Sequence, residues 1–81
     1  MSARVKMLAG DDPHAMLNAV LSERPGLAAD LARAVLASES SVSRWRRRKA
    51  IPGRPAALVI ERRVGIPARL WDVLRAARRA A

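Results

Sequence analysis

The stretch LARAVLASESSVSRW, residues 31–45, decides the fold of this chain. Apolar side chains recur at helical spacing up to Val35, and Ser38 follows as a residue whose hydroxyl can accept a backbone N–H at the start of a new helix. Beyond this cap, Val42 and Trp45 lie three residues apart and mark a second buried face. The stretch therefore predicts two short helices joined by a turn of about four residues.

Similar apolar stripes, separated by Pro and Gly, occupy the rest of the chain. No segment alternates with the period of a strand, and a core of Ala, Leu, Val, Ile and Met suits short helices. We predict an all-α fold of five helices. They cover residues 13–24, 27–35, 39 to about 49, a segment between Pro55 and Gly65, and a last segment from Pro67 to the basic end at Arg78 and Arg79.

Composition restricts the kind of function. The 81 residues include 16 Lys and Arg against 7 Asp and Glu, a formal net charge of +9, which indicates a polyanionic partner. With no cysteine and only His14, we expect no metal and no cofactor, and His14 is expected on the surface without a role. The carboxylates are scattered across capping and surface positions, so we do not expect an enzyme.

Organisation and location follow from the apolar runs. Residues 1–10 show no helical stripe and are expected to form a flexible N-terminal arm before one domain at residues 11–81. The longest apolar run, residues 56–60, is far below the roughly 20 residues that span a bilayer. The apolar stretch at residues 7–9 is too short for the core of a signal peptide. We therefore expect a cytoplasmic protein with no membrane partner.

The third predicted helix carries the residues of functional interest. At about 100° of rotation per residue, Val42 and Trp45 face the core while serines and arginines cluster on the opposite side. A serine is short, and the planar fork of an arginine can bond guanine O6 and N7 together. Glu39, at the edge, either accepts from a cytosine amino group or caps the helix locally. The predicted base-reading residues are Glu39, Ser40, Ser43, Arg44 and Arg47.

A second set flanks or follows this face, where cations can neutralise phosphates without reading sequence. The alternative interpretation of this basic run is a solvated helical face. The residues expected to contact phosphates are Ser38, Ser41, Arg46, Arg48, Lys49 and Arg54.

These helices resemble a known family. The segments 31–35 and 38–45 are similar to the helix-turn-helix of phage repressor and Cro-like (XRE-type) regulators, whose second helix commonly carries a Val-Ser-Arg-Trp core, here residues 42–45. The resemblance continues through residues 49–52 and 60–67 and covers about residues 15–74. It extends to the YdaS-like subgroup of small phage-derived Cro and antitoxin proteins.

The resemblance implies a five-helix, lambda-repressor-like domain with the helix-turn-helix at helices two and three. It also implies a nucleoid-associated transcriptional regulator that inserts helix three into the major groove of double-stranded DNA, as a homodimer on a palindromic operator. Three residues depart from the family pattern: Leu36, Ala37, which is smaller than the usual valine-sized turn residue, and Glu39, which replaces the common glutamine. Where the family turn usually has a glycine with left-handed backbone, this chain has Leu36, for which that conformation is costly. We therefore expect a differently shaped turn.

Exposed apolar residues on helices four and five suggest a dimer interface, although Trp71 could equally close the core. The predicted interface residues are Leu58, Val59, Trp71 and Leu74. The alternative function is an antitoxin-like or adaptor protein that binds a toxin or a polymerase subunit through helices four and five. A non-specific or RNA-binding protein is a third hypothesis, but the chain lacks the aromatics and glycine-rich loops typical of those modules.

Overall fold

Five helices form the part of the protein that the computed structural model describes, residues 12–80, and this part contains no strand. All five predicted helices are present. None of them has the length and apolar character needed to cross a bilayer. The predicted arm, residues 1–10, lies outside the described residues. The helices are α1 (Pro13–Glu23), α2 (Leu27–Ala34), α3 (Glu39–Arg46), α4 (Arg54–Val64) and α5 (Ala68–Ala80).

Side-chain caps begin two of the helices. The Asp12 carboxylate accepts the Ala15 N–H at 3.2 Å, and Pro13 occupies the first turn of α1, where its missing N–H costs nothing. At α3, the Ser38 hydroxyl accepts the Ser41 N–H at 3.2 Å. Each cap of this kind stabilises a helix by about 1 kcal/mol.

The turn after α2 contains a left-handed residue that is not glycine. Leu36 has a φ of 58°, and the Ala37 N–H donates to the Ala32 carbonyl at 2.9 Å while the Leu36 N–H donates to the Arg33 carbonyl at 3.2 Å. This pair of bonds is the Schellman closure of a helix. The expectation of a differently shaped turn is wrong, because these bonds and the packing of Ala37 against the core hold the left-handed conformation despite the leucine.

A second closure of this type shortens α3. Arg48 has a φ of 65°, and the Lys49 N–H donates to the Arg44 carbonyl at 2.8 Å. The helix therefore ends at Arg46, three residues before the predicted end, and Arg47 is its C-cap. The run of basic residues continues beyond Arg46 without a residue that ends a helix. The sequence pattern alone therefore predicts an end of α3 that is too late.

The core lies where the helices meet. The α2 helix packs mainly on α3, and α4 on α5, while α1 packs on α3. Burial of one large apolar side chain contributes about 1.5–3 kcal/mol. The prediction that Trp45 packs in the core is confirmed, since it is 7% exposed. The buried apolar residues are Leu17, Leu21, Leu31, Ala32, Val42, Trp45, Ala57, Ile60, Ile66, Ala68 and Trp71.

Burial decides between the two alternatives for Trp71 and overturns the expectation for His14. Trp71 is fully buried, and its ring meets the His14 ring edge-on with centroids 5.0 Å apart, so it closes the core and does not belong to a dimer interface. His14 is itself buried, against the expected surface position, because the start of α1 lies over α3 and α5. Val73, two residues after Trp71 on α5, is instead 64% exposed.

Candidate functional site

The α3 helix has one buried and one open face. Val42 is fully buried, and Trp45 lies beneath the helix in the core. The opposite face presents small and cationic side chains to solvent. On a helix of eight residues this division leaves about two turns of accessible surface. The helix therefore exposes a short polar strip, held from behind by its apolar residues.

The structure brings the predicted base-reading residues together along this strip. Glu39, Ser40, Arg44 and Arg47 are exposed, while Ser43 is half-buried between them. Within residues 12–80, neither Arg44 nor Arg47 forms a side-chain hydrogen bond or an ion pair. Both guanidinium groups keep all of their donors for an external partner.

Glu39 occupies the first position of α3. No side-chain hydrogen bond of Glu39 is present among the described residues, so local capping by its carboxylate is not the arrangement found here. The cap is Ser38, one residue earlier. The Glu39 charge still lies at the positive end of the helix dipole, where an anion is favourable.

A shallow depression lies between this strip and α1. Its volume is about 450 Å³, and its lining includes Asn18, Ser43, Arg46 and Arg47. The depression gives the strip a concave border on the α1 side. A convex polyanion lying along α3 would therefore meet polar groups of both helices.

Arg46 is fixed on this border by α1. Its Nε donates to Asn18 Oδ1 at 2.8 Å, and its Nη2 donates to Ser22 Oγ at 2.8 Å and to the Asn18 carbonyl at 3.4 Å. All three acceptors are neutral, so no carboxylate among residues 12–80 compensates the positive charge of Arg46. The structure thus holds this predicted phosphate contact in one orientation with its full charge.

Arg48 differs, because a carboxylate neutralises it. Its guanidinium pairs with Asp12 at the start of α1. The hydrogen bond from Arg48 lowers the pKa of Asp12, assisted by the Ala15 N–H, although partial burial opposes the shift. The same hydrogen bond raises the pKa of Arg48. The pair joins the start of α1 to the end of α3.

Arg54 is also compensated. Its Nη1 lies 2.7 Å from Asp72 Oδ2, and Arg75 approaches the other oxygen of Asp72 at 2.6 Å. Burial by itself would raise the pKa of Asp72, but the hydrogen bonds and charges of Arg75 and Arg54 outweigh it and lower this pKa. Arg54 is therefore less available to phosphates than the sequence predicts.

The remaining predicted phosphate contacts divide into two kinds. Ser38 and Ser41 lie at the helix cap, with their hydroxyl oxygens 3.3 Å apart, so both serve the start of α3. Lys49 is exposed and has no hydrogen bond or ion pair from its side chain within the described residues. It is the predicted phosphate contact with the most accessible charge.

The candidate interface residues outside α3 lie on α4 and α5. Leu58 is 40% exposed, and Val59 and Leu74 are half-buried. Because Trp71 is buried and does not belong to the candidate interface, the exposed apolar surface of α4 and α5 is smaller than the sequence predicts. Val73 adds an exposed apolar side chain on α5.

Three further residues support this site, although the sequence alone did not predict a role for them. Asn18 and Ser22 anchor Arg46, and His14 Nδ1 lies within hydrogen-bonding distance of the Trp45 carbonyl beneath α3. A carbonyl only accepts, so Nδ1 carries the proton in this bond. Asn18 and Ser22 are four residues apart on one face of α1, and this polar pair was the available signal.

Comparisons with models of protein families, with curated proteins and with solved structures found no match to this chain.

Proposed function

We propose that the protein is a sequence-specific, double-stranded DNA-binding transcriptional regulator of the Cro and repressor type, with α2 and α3 as its helix-turn-helix. In this proposal α3 enters the major groove, and Ser40, Ser43, Arg44 and Arg47 face the base edges. The regulator acts as a homodimer on a palindromic operator, since one short helix reads only a few base pairs.

One observation carries the proposal. Arg44 and Arg47 are exposed side by side on a short capped helix, and neither has a side-chain partner among residues 12–80. Arg33, Arg48 and Arg54 are also exposed, but they are paired with carboxylates. Other exposed arginines of this part of the chain, such as Arg62 and Arg69, lack an ion pair as well, so the position on α3 is what distinguishes Arg44 and Arg47. A guanidinium with free donors, on a helix narrow enough for the major groove, is suited to guanine.

The cations around α3 would then contribute unequally to phosphate binding. Arg46 has an uncompensated charge and a fixed orientation, and Lys49 is open, so both are expected to release counterions fully. Arg48 and Arg54 must first give up their carboxylate partners. We expect Lys49→Ala to reduce the slope of log K against log salt by about 0.9, and Arg54→Ala to reduce it by less.

Selection of bound duplexes from a random library, followed by affinity measurements on the selected site, tests the proposal. Arg44→Ala and Arg47→Ala should each cost about 1–3 kcal/mol on that site and much less on random duplex. Arg33→Ala is the matched control, because it removes an exposed arginine of α2 that is paired with Asp30. Selection of no sequence, or equal losses on selected and random duplexes, would overturn the proposal.

A second candidate function is supported by the exposed apolar side chains of α4 and α5, Leu58 and Val73. An antitoxin-like or adaptor protein would use this surface for a protein partner such as a toxin or a polymerase subunit. Under that hypothesis a Leu58→Glu change abolishes copurification of the partner, and Arg44→Ala leaves it intact. The DNA-binding proposal predicts instead that Arg44→Ala weakens binding to the selected DNA site.

A further inference from the structure

A second cationic surface lies beyond the end of α3. The loop after α3 and the last turns of α5 enclose an open groove of about 440 Å³. Lys49, Ala50 and Ile51 line one side of it. Arginines of α5 line the other side, and they are residues 75, 78 and 79. The groove therefore joins two segments that are remote in sequence and that both supply cations.

Among residues 12–80, carboxylates compensate little of the charge of this groove. Arg75 pairs with Asp72 at 2.6 Å, and Asp72 is shared with Arg54. Lys49, Arg78 and Arg79 have no ion pair within residues 12–80. Lysine and arginine side chains concentrated in this way favour an anion with several oxygens, such as a phosphodiester.

The position of the groove relative to α3 indicates which phosphodiester it meets. Lys49 follows Arg47 by two residues, so their Cα atoms are at most about 7 Å apart. The major groove is about 12 Å wide. If Arg47 lies among the base edges, Lys49 is close enough to contact a phosphate at the edge of the major groove, and the arginines of α5 line the same protein groove as Lys49.

We propose that this groove binds the phosphate backbone of DNA flanking the half-site, so that α5 extends the contact with DNA beyond the base pairs read by α3. This inference rests on the proposed function. Basic residues in the last turn of a helix also interact favourably with the helix dipole. The dipole effect explains Arg78 and Arg79 but not the other cations of the groove, and it predicts that removing the two arginines lowers the stability of the fold. A DNA-binding groove predicts instead that their removal lowers DNA affinity, by an amount that depends on salt and on duplex length.

The test compares two double variants that each remove two arginines from the last turn of a helix. Arg78→Ala with Arg79→Ala changes the groove, and Arg62→Ala with Arg63→Ala changes the exposed end of α4, away from it. Each protein is titrated with the selected site as a duplex that ends at the half-sites and as a duplex with one additional helical turn on each side. Circular dichroism establishes that both variants are folded.

On the long duplex, we expect the α5 variant to reduce the salt slope by about 1.8, at about 0.9 for each phosphate that an arginine no longer neutralises. The affinity deficit of the variant should then be about tenfold larger at 50 mM than at 200 mM salt. The short duplex should show little of this deficit, and the α4 variant should resemble the unchanged protein on both. A variant that keeps the charge, Arg78→Lys with Arg79→Lys, should retain most of the slope of log K against log salt.

Equal deficits on short and long duplexes, or equal deficits for the α4 and α5 variants, would overturn the inference while leaving sequence selection by α3 intact. If the unchanged protein selects no sequence, the proposed function fails separately. The groove is then tested with random duplex DNA by the amide NMR shifts of Ala50 and Ile51. Shifts that disappear in the α5 variant would support the groove, and absent shifts would overturn it.

Discussion

Leu36 adopts a left-handed backbone conformation that is unfavourable for leucine but that the turn between α2 and α3 requires. Its side chain is 94% exposed, so it contributes almost no packing, and its backbone is left-handed with a φ of 58°. A residue with a Cβ pays about 1–2 kcal/mol for this conformation. The Schellman bonds around it nevertheless form, which sets the angle at which α3 follows α2. The turn therefore depends on hydrogen bonding and packing rather than on glycine.

Leu36→Gly should stabilise the protein by about 0.5–1 kcal/mol, because relief of the left-handed strain exceeds the entropy that glycine loses on folding. Urea unfolding measures the change. Leu36→Ala is the control, since it keeps a Cβ and should remain within about 0.5 kcal/mol of the unchanged protein. A glycine variant that is no more stable than the alanine variant would contradict this account of the turn.

His14 supports α3 from below. Its Nδ1 donates to the Trp45 carbonyl, and its ring meets Trp71 at 84°. His14→Phe retains an aromatic ring but removes the donor, and loss of a hydrogen bond to a buried carbonyl costs about 1–3 kcal/mol. We expect destabilisation of that size in urea unfolding. Unchanged stability would mean that the Trp45 carbonyl does not need His14.

At the scale of elements, α3 is held on α1 by polar groups at both of its borders. Arg46 reaches Asn18 in the middle of α1 and Ser22 in its last turn, and Arg48 reaches Asp12 at the start of α1. These contacts join residues that are 24 to 36 positions apart. They hold the open face of α3 in a defined orientation relative to α1.

The Asp12–Arg48 pair makes stability depend on pH. Because the folded protein holds the pKa of Asp12 below 3.8, its contribution is complete above that pH and is lost as the pH falls through the lower folded value. Asp12→Asn keeps a capping oxygen and removes the charge. Because these side chains are 33% and 59% exposed, solvent screens the pair and its contribution to stability at pH 7 is small.

Urea unfolding from pH 7 to pH 2 checks this expectation. The stability difference between the unchanged protein and Asp12→Asn should be constant from pH 7 to about pH 5 and should shrink below 3.8. A difference that stays constant through pH 2 would show that Arg48 does not perturb Asp12.

At the scale of the whole molecule, a few exposed apolar side chains lie among exposed cations. Leu58 and Val73 are exposed on α4 and α5, one helical turn from Arg62 and Arg69. In the proposed function, a homodimer joins two molecules through Leu58 and leaves both copies of α3 available to DNA. This arrangement is the one that a palindromic operator requires.

Leu58→Glu should shift a monomer–dimer equilibrium toward the monomer, because a buried unpaired charge at an interface is unfavourable. Sedimentation equilibrium at several protein concentrations measures the shift, which we expect to be at least tenfold in Kd. Leu36→Glu is the matched control, because Leu36 is also exposed but lies in the turn before α3. Equal effects of the two changes, or no dimer at any concentration, would contradict the proposed interface.

The sequence by itself determined the number of helices, the Ser38 cap of α3 and the two faces of α3. These features depend on residues one to four positions apart, such as Ser38 with Ser41 or Val42 with Trp45, and short-range periodicity records them. The left-handed residues Leu36 and Arg48 were harder to predict, because backbone closure rather than residue preference imposes them.

Only the tertiary structure decided which side chains are buried or paired over long distances. His14 and Trp71 became core residues because α1 lies over α5, and Arg46 was fixed by Asn18, 28 positions earlier. The groove lined by Lys49 and Arg79 also forms because packing brings together segments that are remote in sequence. Such contacts depend on how helices pack against one another, and no local pattern of residues encodes the pairing of one remote side chain with another.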